Sequence, residues 1–309
     1  MVAQFLQAWR NPDYAIDNIP KSKIENPGEL LFTSKPTIYI DQVDKVAAWY
    51  FPRAFTERRN TMVFDHTRVI TQRHPNLIRI RPNSEHWRDD LTLYSDPAAC
   101  YIQPGHANFS VCWYAQGHGP GTGIPGPSAS LSRTGSPGGL EYLEWLTVTN
   151  SLIGVLLALV HPELYDLQMQ VLQELYVGDV DVSDRKLLLE VFEHWATPFS
   201  AFGVITNRET PLHRDSMGGK FLFDMVATFG RYRQGRFIIP LLNSRFAYNP
   251  GAAIVFPGHL MAHGASVVEG ERVCLASYMR PNVGKGALKN YREVPPPSVT
   301  HLAQFHGLW

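Results

Sequence analysis

The stretch Ala201–Arg280, AFGVITNRETPLHRDSMGGKFLFDMVATFGRYRQGRFIIPLLNSRFAYNPGAAIVFPGHLMAHGASVVEGERVCLASYMR, decides the fold. It divides into short apolar runs (AFGVITN, KFLFDMVATFG, RFIIPLL, RFAY, AAIVF, HGASVV and RVCLASYMR) separated by Gly, Pro and Asn. Branched and aromatic side chains suit a pleated, half-buried surface. Several short strands at regular spacing with turn residues between them predict a sandwich or barrel.

Working outward, Leu140–Val177 has a helical apolar period and predicts two helices broken near His161-Pro162. A third helix is predicted over Asp184–Trp195, with Ser183 as its N-cap and a stop before Pro198. The segment Gln103–Gly139 is crowded with Gly, Pro and Ser and predicts a mobile loop or lid. It contains Gly121-Thr-Gly123-Ile-Pro-Gly126, a formal GxGxxG. A dinucleotide site needs a helix to start directly after those glycines, and Pro125 and Pro127 disfavour one. Asp41–Phe55 (DQVDKVAAWYFPRAF) predicts a helix as far as Pro52, and Thr61–Arg81 has β-like texture. Residues 1–35 read as a surface arm, and the tail from Glu293, with three consecutive prolines, as an extension.

The chain has 309 residues, 44% of them hydrophobic, enough for a sizeable core. Lys+Arg and Asp+Glu number 28 each, so no global field concentrates nucleic acid or anionic membrane, and any such partner must meet a local patch. Two candidate patches are Arg68–Arg81 (Arg68, Arg73, His74, Arg79, Arg81) and Arg231–Arg236 (Arg231, Arg233, Arg236). Three cysteines without a CxxC pair argue against a disulfide framework and for a reducing compartment. No secretory signal is visible, and the longest apolar run, Leu152–Val160, is nine residues, about half a membrane span. The expectation is a soluble intracellular protein without a membrane partner.

His213-Arg214-Asp215 places an imidazole and a carboxylate two residues apart, which on an extended segment point the same way. His263 follows 48 residues after Asp215, beyond four short strands. Two histidines and one carboxylate on one face leave open positions, the arrangement of non-heme iron(II) oxygenases; zinc more often takes a fourth protein ligand. HRD also occurs in protein kinases, whose loop needs Asn five residues after the Asp and a DFG downstream. Here Lys220 and Phe223-Asp224-Met225 stand in those places.

Glu269-Gly270 predicts a two-residue hairpin turn. That turn pairs Val267 with Arg272, Ala265 with Cys274 and His263 with Ala276, and cross-strand partners share a face. Arg272 then points to the same side as His263, roughly 13 Å along the strand. Ala265, Cys274 and Ala276 are small enough to leave room between them for a five-carbon diacid. Arg272 is thus the candidate anchor for the distal carboxylate of such a diacid, with Arg280 next in line. His259, in Pro257-Gly258-His259, remains the rival third ligand.

From Asn207 to Arg280 the chain resembles the TET/JBP family of 2-oxoglutarate- and Fe(II)-dependent dioxygenases, particularly its fungal members. The matching text is TNRETPLHRD, TFGRYRQGRFIIPLL, RFAYNPGAAIVFPG and MAHGAS with Arg272 following. The resemblance implies an α+β, mainly β fold: a double-stranded β-helix (jelly roll, cupin-like) flanked by helices. It implies iron on His213, Asp215 and His263, 2-oxoglutarate on Arg272, and O2 as cosubstrate. It also implies oxidation of the methyl group of a pyrimidine, typically 5-methylcytosine, in a base flipped out of DNA, and with DNA a nuclear location. The division expected is one dioxygenase domain over 1–309. Its parts are an N-terminal arm, helix and loop (1–140), supporting helices (141–200), the β core with the metal site (201–280) and an extension (281–309). Two other readings stand at this point. One is the same chemistry on a small molecule or protein side chain, which zero net charge suits; the other is a catalytically silent cupin-like binding module.

Overall fold

The computed structural model describes residues 30–81, 86–178 and 180–307; the arm expected over residues 1–35 lies outside them as far as residue 29, and its described end holds a strand, Leu31–Thr33. Twelve strands make two sheets. They are β1 (Leu31–Thr33), β2 (Thr37–Ile40), β3 (Val46–Phe51), β4 (Gly105–Ser110), β5 (Ala201–Thr206), β6 (Thr210–His213), β7 (Asp224–Arg233), β8 (Arg236–Ile239), β9 (Ser244–Ala247), β10 (Ala253–Phe256), β11 (His263–Ala265) and β12 (Glu269–Tyr278). The larger sheet runs β2-β3-β10-β7-β12-β5-β4, and the smaller β1-β9-β8-β11-β6. The two pack face to face through aromatic contacts. Phe237 of the smaller sheet meets Phe256 of the larger with ring centroids 5.5 Å apart, and Phe256 meets His263 at 4.7 Å. This is the predicted β core, a two-sheet jelly roll.

The helices are α1 (Glu57–Arg73), α2 (Gly139–Val160), α3 (Pro162–Val177), α4 (Arg185–Phe192), α5 (Pro281–Ala287) and α6 (Val299–Phe305). The break at His161-Pro162 falls where expected: the His161 side chain accepts from the Leu164 amide, and Pro162 opens α3. Asp184, rather than Ser183, caps α4. Helix α2 is long and apolar enough to cross a membrane by length and composition, with mean hydropathy 1.7. In the fold it packs against α1 and α3.

The N-terminal reading is reversed at two elements. Val46–Phe51, expected in a helix, is a strand, because its backbone pairs with β2 on one side and β10 on the other. Thr61–Arg81, expected to be β-like, is mostly helix α1. Thr56 caps that helix, and its buried residues Val63, Phe64, Thr67, Ile70 and Thr71 recur on one face. Branched residues such as Val69 and Ile70 imitated a strand there. The Gln103–Gly139 segment holds a strand, β4, and Trp113 and Gly126 exchange backbone hydrogen bonds within it. No helix opens directly after Gly126, as expected. The tail from Glu293 contains α6, capped by Ser298.

Gly230 fixes how α1 meets β7. Asn60 of α1 donates to the Gly230 carbonyl at 3.1 Å and accepts from its amide at 2.7 Å. At φ +139° a Cβ on Gly230 would meet the Glu271 carbonyl oxygen at 2.1 Å and the Arg272 Cα at 3.0 Å. Gly230→Ala is therefore expected to lower stability by roughly 1–3 kcal/mol, the usual cost of a strained backbone position. Thermal or urea unfolding checks this, and an unchanged midpoint would contradict it.

Candidate active site

β6 and β11 lie side by side in the smaller sheet with His213 directly opposite His263. Their rings are 4.4 Å apart. Each ring is set by the main-chain carbonyl two residues before it: His213 Nδ1 lies 2.9 Å from the Pro211 carbonyl and His263 Nδ1 2.9 Å from the Met261 carbonyl. A carbonyl only accepts, so each Nδ1 carries the proton and each Nε2 keeps its lone pair. Both Nε2 atoms face Asp215, each 3.7 Å from one of its carboxylate oxygens. Among the described residues this trio forms the one group able to hold a metal ion, its ligand atoms all within 4.8 Å of one another.

Electrostatics suit a cation. Burial, then the neighbouring His263, pushes His213 down to about 4, so its imidazole is neutral at physiological pH. Burial also lowers His263. For Asp215, burial works against the charge. The positive charge that the His263 and His213 rings acquire in acid, together with the guanidinium groups of Arg88 and Arg280, outweighs it and holds the carboxyl below its usual range. Asp224 behaves oppositely: burial and the nearby Asp215 charge raise it well above the carboxylate range. Gly258 makes this crowding possible. A Cβ there would lie 2.5 Å from Asp224 Oδ2 and 2.8 Å from Asp215 Oδ2.

His259, the rival third ligand, sits elsewhere: its Nδ1 donates to the Asp215 main-chain carbonyl at 2.7 Å, bracing the loop beneath the carboxylate.

Arg272 reaches the interior by a route other than the predicted hairpin. Glu269 and Gly270 belong to β12 itself, with Gly270 at φ +113°. β12 pairs with β7 and β5, whereas β11 pairs with β6 and β8. The chain crosses from one sheet to the other at residues 266–268, so His263 and Arg272 belong to facing sheets, and the predicted Val267–Arg272 pairing does not form. Arg272 instead stands opposite Gly230. It is 3% exposed. Its guanidinium donates to the Ser266 carbonyl at 2.8 Å and to the Arg208 carbonyl. Asn207 holds its backbone, accepting from the Arg272 amide at 2.8 Å. Among the described residues no acidic side chain pairs with this buried cation, which is costly unless an anion arrives.

Strand alternation places Arg272, Cys274, Ala276 and Tyr278 on one face of β12. Cys274, Ala276 and Tyr278 are partly accessible, whereas Val273, Leu275 and Ser277 on the other face are buried. A file of small residues therefore leads from Arg272 to Tyr278. Arg280, the reserve anchor, lies at the far end, its guanidinium 4.7 Å over the Tyr278 ring. The reading of the sequence missed Trp87, Arg88, Arg208, Asp224 and Tyr278. The Trp87 ring lies 4.9 Å from the His213 ring, and Arg88 Nη2 lies 3.7 Å from Asp215 Oδ1. These two come from a stretch over 120 residues upstream of His213, with no periodicity to flag it.

The two basic stretches are not equivalent. Arg231 and Arg68 share the carboxylate of Asp65, at 3.4 and 3.8 Å, and Arg73 pairs with Glu141 at 2.7 Å. Along β7, Arg231 is seven residues from Asp224, about 23 Å at the usual rise per residue. Arg81, by contrast, donates its amide to Asp89, beside Arg88, at 3.0 Å.

The donor set fits iron(II), with two imidazole nitrogens and a carboxylate converging from one side, and buried Arg272 fits a carboxylate of 2-oxoglutarate. The Tet_JBP family model, described as the oxygenase domain of the 2OGFeDO superfamily, matches residues 110–281, more than half of the chain. No curated protein matches the sequence. Among solved structures, one of NgTET1 in complex with 5mC DNA is similar at 12% identity and a TM-score of 0.54, covering 100% of this chain and 96% of that one. The structure of OsALKBH1 is similar at 11% identity and a TM-score of 0.36, covering 79% of this chain and 100% of that one.

Proposed function

We propose that this chain, which belongs to the Tet_JBP family of the 2OGFeDO superfamily, oxidises the methyl group of 5-methylcytosine, or a related modified pyrimidine, in DNA. Membership makes it an iron(II)- and 2-oxoglutarate-dependent oxygenase that uses O2. In this reading His213, Asp215 and His263 hold the metal and Arg272 the distal carboxylate of 2-oxoglutarate. Iron(II), when bound, supplies O2 activation coupled to conversion of 2-oxoglutarate to succinate. The protein's own groups do the rest. Pro211 and Met261 fix the imidazole tautomers, buried Arg272 orients the diacid, and the small side chains of β12 leave it room.

The DNA reading rests on the mouth. Trp87 and Tyr278 border the triad, each with a guanidinium over its ring at 4.5 and 4.7 Å. Planar π groups beside cations suit a flipped base and its phosphates. Arg88 and Arg280 stand around Asp215 and Arg214 precedes it in the chain, so the mouth carries basic groups although the whole protein is neutral. NgTET1, similar in fold, has been captured with 5mC DNA, and a nuclear location goes with this reading. Zero net charge keeps a second reading alive, the same chemistry on a small molecule or a protein side chain. A silent binding module fits the intact trio worse. The deciding experiment is succinate formation with iron(II) and 2-oxoglutarate across methylated DNA, methylated RNA and metabolites. Stimulation by a metabolite and not by methylated DNA overturns the proposal.

Phosphate contacts should then lie on the mouth side. Arg79→Glu with Arg81→Glu is expected to weaken methylated-duplex binding and flatten its logarithmic salt dependence by up to about 2, roughly 0.9 per phosphate contact. Arg231→Glu with Arg233→Glu should leave that slope near the wild type. Equal losses from both pairs, measured by titration against salt, would place the DNA elsewhere.

A further inference from the structure

We propose that Trp87 is a positioning residue that joins the metal ligands to the cosubstrate anchor, supplied from outside the stretch that matches the family. The inference rests on the triad being the metal site.

Residues 93–95 run beside 207–209, the link that leads into the strand carrying His213. Ser95 donates to the Asn207 carbonyl at 2.9 Å and Glu209 to the Leu93 carbonyl at 2.8 Å, and Tyr94 and Arg208 form a β-bridge. This pairing brings the indole of Trp87 against three functional groups at once. The His213 ring lies 4.9 Å away, tilted by 54°. The Arg88 guanidinium is 4.5 Å and the Arg208 guanidinium 5.2 Å from the indole. Arg88 reaches Asp215 Oδ1 at 3.7 Å. The main-chain carbonyl of Arg208 accepts from the Arg272 guanidinium.

One ring therefore touches a metal ligand, the cation beside the ligand carboxylate, and the residue that holds Arg272. Arg88 is itself pinned, since its carbonyl accepts from Tyr94 Oη at 2.6 Å and from Arg208 Nη1 at 3.4 Å. Arg208 is 4% exposed, and its Nε makes no hydrogen bond. The Trp87 and Tyr94 rings are thus the environment of that part of its guanidinium. Without the indole, one side of the His213 ring loses its packing and the ring can rotate about its Nδ1 contact, and Arg208 can shift the carbonyl on which Arg272 rests. The backbone holds the histidine tautomers; Trp87 holds the ring plane.

The test uses the purified full chain and cobalt(II) alone as the probe. Trp87→Leu is expected to weaken cobalt binding about tenfold or more, in the range of outer-shell changes at metal sites, and to shift the cobalt absorption bands. The same variant, loaded with cobalt, should need more 2-oxoglutarate to produce the spectral change seen in the wild type. Trp87→Phe, which restores a ring, should return both readouts toward wild type. Loss of packing alone would lower the melting temperature of the leucine variant without moving the bands, and that outcome overturns the proposal. So does a leucine variant that binds cobalt and 2-oxoglutarate as the wild type does. If the leucine variant does not fold, Arg208→Lys, which keeps the charge and loses the planar stack, is read by the same criteria. His263→Ala separates the two levels: if it binds cobalt as the wild type does, the triad reading fails, whatever the Trp87 variants do.

Discussion

Asp215→Ala is expected to bind no iron(II) at the site and to show no turnover, yet to melt close to the wild type. Three donors are the minimum for a facial arrangement, so removing one costs more than the roughly 10–100-fold of an outer-shell change. The fold should tolerate it because the Asp215 side chain is 33% exposed at the mouth. Its removal also spares the buried Asp224 a neighbouring negative charge. His213→Ala and His263→Ala should be equally inactive, although His263, 5% exposed between Phe237 and Phe256, should cost more stability. His259→Ala is expected to be milder, since that ring only braces the Asp215 carbonyl. Metal content of the purified variants and succinate formation check the series. A fully active His263→Ala beside an inactive His259→Ala would reverse the ligand choice.

The strands of 201–280 were legible because a jelly roll is built from short, locally patterned pieces. The HxD pair was legible because a two-residue step on an extended chain needs no long-range information. Register is another matter. Glu269-Gly270 has turn chemistry, yet it continues a ten-residue strand whose partners, β5 and β7, lie far back in sequence. Arg272 still faces the interior, because alternation along β12 and the facing of the two sheets put it there without the hairpin. In the N-terminal half the same blindness swapped two elements. VAAWYF has the apolar content of a helix and is a strand because two neighbours pair with it, while the branched residues of α1 lie on its packed face. Nothing in His86-Trp87-Arg88 or in Tyr278 announces a site, since their meaning comes only from who stands beside them.

Arg272→Ala is expected to raise the 2-oxoglutarate requirement about a hundredfold or more, with little change in iron affinity. The guanidinium is buried and held by the Ser266 and Arg208 carbonyls, so it is already aimed before any ligand arrives. Losing one partner of such a charge pair costs about 2–5 kcal/mol, and each 1.4 kcal/mol is tenfold in affinity. The metal ligands should feel little, because Arg272 sits on the sheet opposite His213 and His263 and touches neither. Arg272→Lys separates charge from shape: it keeps the cation and loses the planar fork that matches a carboxylate, so it should recover only part of the loss. The alanine variant should not unfold, because it removes a buried charge that no acidic side chain of the described residues compensates. Titration of 2-oxoglutarate against succinate formation reads the shift. An unchanged half-saturation in the alanine variant would move the anchor to another cation, and Arg280, at the opposite end of the same file of residues, is the first to substitute next.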